Sequence, residues 1–391
     1  MTYPSPNRHP DRQQDCEASV GASAPMVQLL STTGAVQTDD TAAEYLPYID
    51  ALSDEELRQF YRDMVITRRF DLEATNLQRQ GQLALWPPSH GQEAAQVGSA
   101  RAARAQDHLF PSYREHAIGM IRGVDVVDIV RLMRGVTNGG WDPAECGNFH
   151  LYTLVLGSQA LHATGYAMGI TLDGETGTGD PETDRAVMAY FGDGATSQGD
   201  VSEAFVFAAS FNAPQVFFLQ NNQWAISVPV RVQSRIPLYQ RAAGFGMPGV
   251  QVDGNDVLAS YAVTRKNLDE ARAGHGPRLI EALTYRIGAH TTSDDPTKYR
   301  MDVETASWVA KDPIVRYASY LRGRGEGEDF FTAAATEAED FSADLRRRTL
   351  ELVVPSTDLM FDHVYSEQHP LMDTQKQWLA DYEAILGGTA Q

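Results

Sequence analysis

The sequence predicts an α/β fold: a doubly wound, mostly parallel sheet with helices on both faces. Three observations carry this expectation. Ala186–Phe191 and Gln215–Gln220 are short apolar runs separated by a segment of helical period, one strand–helix–strand crossover. A second alternation follows, with strand-like Gly249–Val252 and Leu279–Tyr285 flanking a helical stretch near Asn255 to Ala273. Finally, the two strands of the first unit end in Gly192-Asp193-Gly194 and Asn221-Asn222, polar turns at the edge where open α/β sheets bind ligands.

Taken in order, residues 1–44 are rich in Pro, Ser, Thr, Gln and Ala, and are expected to form a flexible tail. Ser53-Asp54-Glu55-Glu56 is a capping box opening a helix with Leu57, Phe60, Tyr61, Met64 and Val65 on one face. Gly91-Gln92-Glu93 opens another through Ala103, with His90 at its start. Phe110-Pro111-Ser112-Tyr113-Arg114 is a turn after a strand-like segment, and its arginine offers the planar fork that suits phosphate. Thr137–Gly147 reads as a loop. Leu151–Leu156 is apolar enough for core and leads into Gly157-Ser158-Gln159; His162 follows on a small-residue helix and is expected to pack inside. Asp173–Asp184 is acidic and turn-rich, a solvated loop. In the crossover helix Val201, Ala204, Phe205, Ala208 and Ala209 share a face, and Asn212-Ala213-Pro214 stops it. Arg286–Arg300 is a long polar loop, a candidate lid bearing His290. From about Phe330 the chain reads as peripheral helices, so the expected division is a tail (1–44), an α/β domain (45–330) and a helical extension (331–391).

Composition narrows the function. A net charge of −20 and a pI near 4.8 disfavour nucleic acid and anionic membrane surfaces. Two cysteines without a CxxC or Cys/His pattern disfavour a disulfide framework or a zinc site. No apolar run reaches the roughly 18 residues of a membrane span, and no signal core is visible, so the expectation is cytoplasmic. The Gly-x-Gly-x-x-Gly fingerprint of nicotinamide sites is missing too: the sixth residue of the Gly192 turn is Ser197.

The crossover sets Asp193 and Asn222 side by side, with the helix from Asp200 aiming its positive end at the same crevice. One carboxylate, one amide oxygen and a backbone carbonyl form a hard, oxygen-only set that suits Mg2+ sharing its coordination with phosphate. The bare reading is a Mg2+–diphosphate site.

Gly192-Asp193-Gly194, 26 residues, then Asn221-Asn222 resembles the thiamine diphosphate signature. Residues 50–370 resemble the α subunit of the decarboxylating component of 2-oxo acid dehydrogenases, through LQRQGQLALW (77–86), GQEAAQVGSA (91–100), LFPSYREHA (109–117), VDGNDVLASYAV (252–263) and YRIGAHTTSDDPTKYR (285–300). The last is more similar to the branched-chain than to the pyruvate type.

The resemblance implies thiamine diphosphate and Mg2+ as cofactors. It implies oxidative decarboxylation of a 2-oxo acid with acyl transfer to a lipoyl-bearing acyltransferase, by an α2β2 heterotetramer whose β subunit supplies the activating acid. Asp193, Asn222 and the Trp224 carbonyl would hold the metal. Tyr113, Arg114, Gly194, Ala195 and His290 would bind the diphosphate side, with His290 also the proton donor. Leu154 and Leu156 would hold the bent cofactor, Leu156 as the wedge between its rings. Ser158-Gln159 matches a structural monovalent-cation site, and Thr291 stands where some relatives carry a phosphorylated serine. Ser112 replaces a glutamine common in the branched-chain type, and Gln220 a phosphate-binding arginine. The alternatives are the same chemistry on pyruvate or acetoin, or a non-catalytic assembly paralogue. A single-chain decarboxylase would need a second α/β domain.

Overall fold

The structure, a computed structural model, describes residues 25–137 and 140–386. Five parallel strands form the main sheet: β1 (His108–Phe110), β2 (Val187–Gly192), β3 (Gln215–Asn221), β6 (Gly249–Asp253) and β7 (Arg278–Leu283). Their spatial order is β1-β2-β3-β7-β6. A two-stranded antiparallel ribbon, β4 (Trp224–Ala225) and β5 (Val228–Pro229), follows β3 directly.

Side chains alternate along the strands and so divide the core in two. Met188, Tyr190, Phe218, Ile280 and Ala282 face one side, packed with helices α1 (Asp54–Arg79), α2 (Glu93–Ala102) and α5 (Val257–Arg272). Val187, Ala189, Phe191, Phe217, Leu219 and Leu279 face the other, under α3 (Ser158–Leu172) and α4 (Gly199–Ser210). Both strand faces are covered, which is why the strands read as continuous apolar runs. The crossover through α4 advances from β2 to β3, and the one through α5 returns from β6 to β7. Right-handed crossovers running in opposite directions put their helices on opposite faces. The doubly wound expectation is met.

Local signals also hold. Ser53 caps α1 with the reciprocal bond from Glu56. In α4 the buried face is Val201, Ala204, Phe205 and Ala208. Among the described residues no helix is long and apolar enough to cross a membrane.

Five expectations need correction. Residues 1–24 of the expected tail lie outside the described residues, but residues 27–44 are built into the fold. Val27 bridges Val252 in parallel, Leu29 and Leu30 are buried, and their N–H groups donate to Asp256 at 2.8 and 2.6 Å. The Arg316 guanidinium also binds the Ser31 carbonyl at 3.0 Å and that of Leu30. The expected 330/331 boundary falls inside helix α6 (Glu328–Leu350), whose Phe331 and Leu345 join the main core. Leu151, Leu154, Val155 and Leu156 are exposed rather than core, and His162 is exposed as well. Arg286, the first residue of the polar loop, is fully buried.

Candidate active site

β2 and β3 run in register from Val187–Gln215 to Gly192–Gln220, so the chain leaves the sheet at adjacent points. After β2 it turns through the 3-10 segment Asp193–Ser197 into α4. Here Gly194 is required by close packing: a Cβ on it would lie 2.7 Å from the Ala225 Cβ of the β4–β5 ribbon. After β3 the backbone takes left-handed conformations at two non-glycine residues, Gln223 (φ 73°) and Ile226 (φ 55°). Such conformations cost on the order of 1–3 kcal/mol each and concentrate at functional sites. Between them stands Trp224.

A cleft of about 160 Å³ opens between these turns. Asp193, Gly194, Ala195, Asn222, Trp224, Tyr113, Arg114, Leu156 and His290 all line it. The structure therefore brings together most of the residues expected from sequence, drawn from separate loops. Leu154, 68 % exposed, and Ser158 are not among the lining residues. Ser158 Oγ donates to the Val155 carbonyl at 2.8 Å, and it is Gln159 that reaches the cleft wall.

The electrostatics have two poles. Asp193 is 1 % exposed and accepts from Gln233 Nε2 at 3.0 Å. Burial pushes its carboxyl up to about 6, against the hydrogen bond from Gln233 and the charge of Arg286. The same cleft holds two buried guanidiniums. Arg114 donates to the carbonyls of Pro88 and His290, the latter at 3.0 Å. Arg286 donates to the carbonyls of Trp224 (3.1 Å) and Ile226 (2.8 Å) and to the Tyr299 hydroxyl (2.9 Å), while its Nε has no partner. Among the described residues neither guanidinium forms an ion pair with a carboxylate. Burial and the charge of Arg114 bring Arg286 down to about 10.

His290 sits between them. Its Nδ1 is 3.3 Å from Arg114 Nη2 and 3.5 Å from Arg286 Nη1. Guanidinium nitrogens only donate, so Nδ1 is the acceptor and the ring proton is on Nε2. Burial, then Arg114 and Arg286, hold His290 down to about 3, so the ring is neutral at pH 7. Tyr113 meets it edge-on at 6.3 Å, and the Arg114 guanidinium lies 5.5 Å from the centre of the Tyr113 ring.

These features fit a Mg2+–diphosphate ligand. A buried carboxylate short of positive charge and two buried cations short of negative charge are complementary to a metal bound to an anion. The donor set of Asp193, Asn222 Oδ1 and the Trp224 carbonyl is oxygen only, as Mg2+ prefers. The Trp224 carbonyl accepts from Arg286, and its second lone pair remains. Among the described residues no three or more His, Cys, Asp and Glu side chains cluster to hold a metal. One carboxylate is too little for a free-standing cation site, so the ligand's own oxygens are needed.

Sequence reasoning missed Arg286, Gln233, Gln92 and Glu115. Arg286 had one available signal, its position just past a strand at the sheet's carboxyl edge. Gln233 follows the β4–β5 ribbon on the short helix Val230–Gln233, and nothing local marks it.

Comparison with known proteins identifies the family. Residues 61–332 match the family described as Dehydrogenase E1 component. The chain is 44 % identical over 348 residues to the 3-methyl-2-oxobutanoate dehydrogenase subunit alpha of Mycobacterium tuberculosis, covering 88 % of this chain and 92 % of that one. It is 38 % identical to the pyruvate dehydrogenase E1 component subunit alpha of Acholeplasma laidlawii, over 83 % of this chain and 92 % of that one. The protein of that name from Staphylococcus aureus is also 38 % identical, over 77 % of each chain.

Proposed function

The chain belongs to the dehydrogenase E1 component family, and from that premise we propose that it is the α subunit of a thiamine diphosphate-dependent dehydrogenase of branched-chain 2-oxo acids. The reaction is oxidative decarboxylation, with transfer of the acyl group to the lipoyl group of a partner acyltransferase. The observation that carries the chemistry is the two-pole cleft: a buried Asp193 facing two buried, carboxylate-free guanidiniums. The branched-chain assignment is supported by the 44 % identity to a relative named for 3-methyl-2-oxobutanoate, against 38 % to those named for pyruvate.

When bound, thiamine diphosphate supplies the nucleophilic carbon and the electron sink for loss of CO₂. The chain's residues place and protect that chemistry. Asp193, Asn222 and the Trp224 carbonyl hold Mg2+, and the strained turn from Gln223 to Ile226 fixes the carbonyl's direction. Arg286 braces that turn through two carbonyls and contributes its charge to the diphosphate side. Arg114 and Tyr113 add to it, whereas the N-terminus of α4, set off by the 3-10 segment Asp193–Ser197, is not on the cleft wall. Gly194 and Ala195 form the turn on the cleft wall, Gly194 giving room to the Ala225 Cβ. Leu156, on the cleft wall, would offer the bound cofactor an apolar surface. His290 Nε2–H is the donor toward the reacting carbonyl. A bound anion offsets the part of the downward shift that comes from the two arginines, while burial, its larger cause, keeps the ring neutral with its proton on Nε2.

The test is turnover of the chain co-purified with its β partner on a panel of 2-oxo acids. Branched substrates are expected to have the highest kcat/KM. Preference for pyruvate would replace the substrate assignment, and no turnover on any 2-oxo acid would overturn the enzymatic reading.

A further inference from the structure

Along the cleft wall four buried side chains stand in single file. Gln220 Nε2 donates to Glu115 Oε1 at 2.7 Å, Gln92 Nε2 to Gln220 Oε1 at 3.0 Å, and Asn222 Nδ2 to Gln92 Oε1 at 2.9 Å. All four are at most 7 % exposed. Glu115 has no part in the chemistry described above.

Every primary amide has one donating and one accepting end. In a file of amides the direction of one link therefore fixes the direction of all the others. That direction is set by groups of fixed polarity at the ends, the Trp224 N–H beyond Asn222 at one and an acceptor beyond Gln220 at the other. Glu115 is such a group. Its Oε2 accepts from Ser112 Oγ at 2.7 Å and from the Arg114 N–H at 3.2 Å, and its Oε1 from Gln220. Every partner it has among the described residues is a donor, so it serves as an acceptor at both oxygens. Gln220 must then turn its NH₂ toward Glu115, Gln92 its NH₂ toward Gln220, and Asn222 its NH₂ toward Gln92. Asn222 Oδ1 is left for the cleft, where it also takes the Trp224 N–H at 3.2 Å. An amide oxygen can ligate Mg2+; an amide NH₂ cannot.

We infer that Glu115 is a positioning residue for the metal site: through Gln220 and Gln92 it selects the amide orientation that points the Asn222 oxygen at the cation. The inference rests on the reading of Asn222 as a metal ligand. It also gives Gln220 a use. An arginine there would carry charge to the phosphate, whereas glutamine passes polarity along the file.

The nearly isosteric Glu115→Gln is informative because the Arg114 N–H pins the new amide oxygen at the Oε2 position. The new NH₂ then meets the NH₂ of Gln220. With a fixed donor at Trp224 closing the other end, one link must break or the file must invert. Moving the carboxylate one step, in the double variant Glu115→Gln/Gln220→Glu, repairs this. The amide now at position 115 donates to the carboxylate now at position 220. That carboxylate also accepts from Gln92, and the orientation of Gln92 and Asn222 is restored.

The experiment uses the full chain co-purified with its β partner in the presence of thiamine diphosphate, titrated with Mn2+ and followed by the electron spin resonance of the free ion. Thermal melting of each variant checks folding. Glu115→Gln is expected to weaken Mn2+ binding about 10- to 100-fold, as loss of groups supporting a metal ligand does. The double variant is expected to return to the parental value, which a merely structural role for Glu115 would not produce. Parental affinity in Glu115→Gln, or a double variant no better than the single one, overturns the inference. Asn222→Ala separates the premise: unchanged Mn2+ affinity there removes Asn222 from the metal site, whereas weakened binding there with an unaffected Glu115→Gln removes only the orienting role.

Discussion

Asp193 and His290 are each held away from their ordinary ionisation by burial, and each yields a prediction. Asp193 is the one carboxylate proposed at the metal, so Asp193→Ala leaves the cation an amide and a carbonyl. Mg2+-dependent binding of thiamine diphosphate is expected to fall by several kcal/mol, about a thousandfold or more in affinity by calorimetry. Undiminished affinity would remove the assignment. His290 in the unliganded chain lies near 3, from an ordinary 6.5. Above pH 6.5 both folded and unfolded chains hold it neutral, and it contributes no slope. Between 6.5 and 3 the unfolded chain takes up a proton that the folded chain refuses, so stability falls as pH falls. His290→Asn removes that part of the slope. Melting temperatures from about pH 7 to about pH 4 should therefore drop less steeply in the variant than in the parental chain. Arg286 shows why part of this site escaped sequence reading. Its burial is fixed by carbonyls 62 and 60 residues away, and no local pattern of charge or period encodes such a contact.

The two crossovers were legible because each is a local pattern: apolar runs covered on both faces, a 3.6-residue period between them, and turn residues at the joins. The same holds for the capping box at Ser53. Residues 27–31 were not, since a single bridge to Val252 and bonds to Asp253, Asp256 and Arg316 hold a stretch with no period of its own. The lid is an intermediate case. Its polarity was visible, its anchors were not. Thr292 N donates to the Trp86 carbonyl at 2.9 Å, and Arg300 binds the carbonyls of Arg286 and Ile287, the latter at 2.7 Å. Asp294 accepts from the His290 N–H at 2.9 Å. Between Thr292 and Arg300 the Lys298 side chain is the exposed point, at 79 %. Trypsin is expected to cut after Lys298 in the unliganded chain and more slowly with Mg2+ and thiamine diphosphate, which give His290 an anion to order against. Equal rates would show that this loop is no lid.

At the scale of the whole molecule the cleft is half a site. Its floor and its anionic-ligand side are built, but the flank formed by residues 151–156 and the β4–β5 ribbon is apolar and open. Leu154 is 68 % exposed, Val155 71 %, Ile226 51 % and Val232 69 %. Further on, residues 353–386 carry Val353, Trp378 and Ile385 at 83, 66 and 82 % exposure, and the helix Pro370–Ile385 has no buried residue. Contiguous exposed apolar surface marks an interaction site, and a reactive cofactor ring left against water would be quenched and unactivated. Among the described residues no carboxylate beyond Asp193 and Glu115 lines the cleft, and both are already engaged: one is assigned to the metal, the other is bonded to Ser112, Arg114 and Gln220. On the proposed reading, the acid that activates the cofactor comes with the covering surface of a β subunit. The assembly we propose is a heterotetramer of two α and two β subunits, closed by two-fold symmetry. Purified alone, the chain is expected to bind Mg2+ and thiamine diphosphate weakly and to release no CO₂ at an enzymatic rate. Adding the β subunit should restore turnover and raise the mass seen by light scattering to that of the tetramer. Sustained decarboxylation by the chain alone would mean that the open flank is already sufficient, and that the half-site reading is wrong.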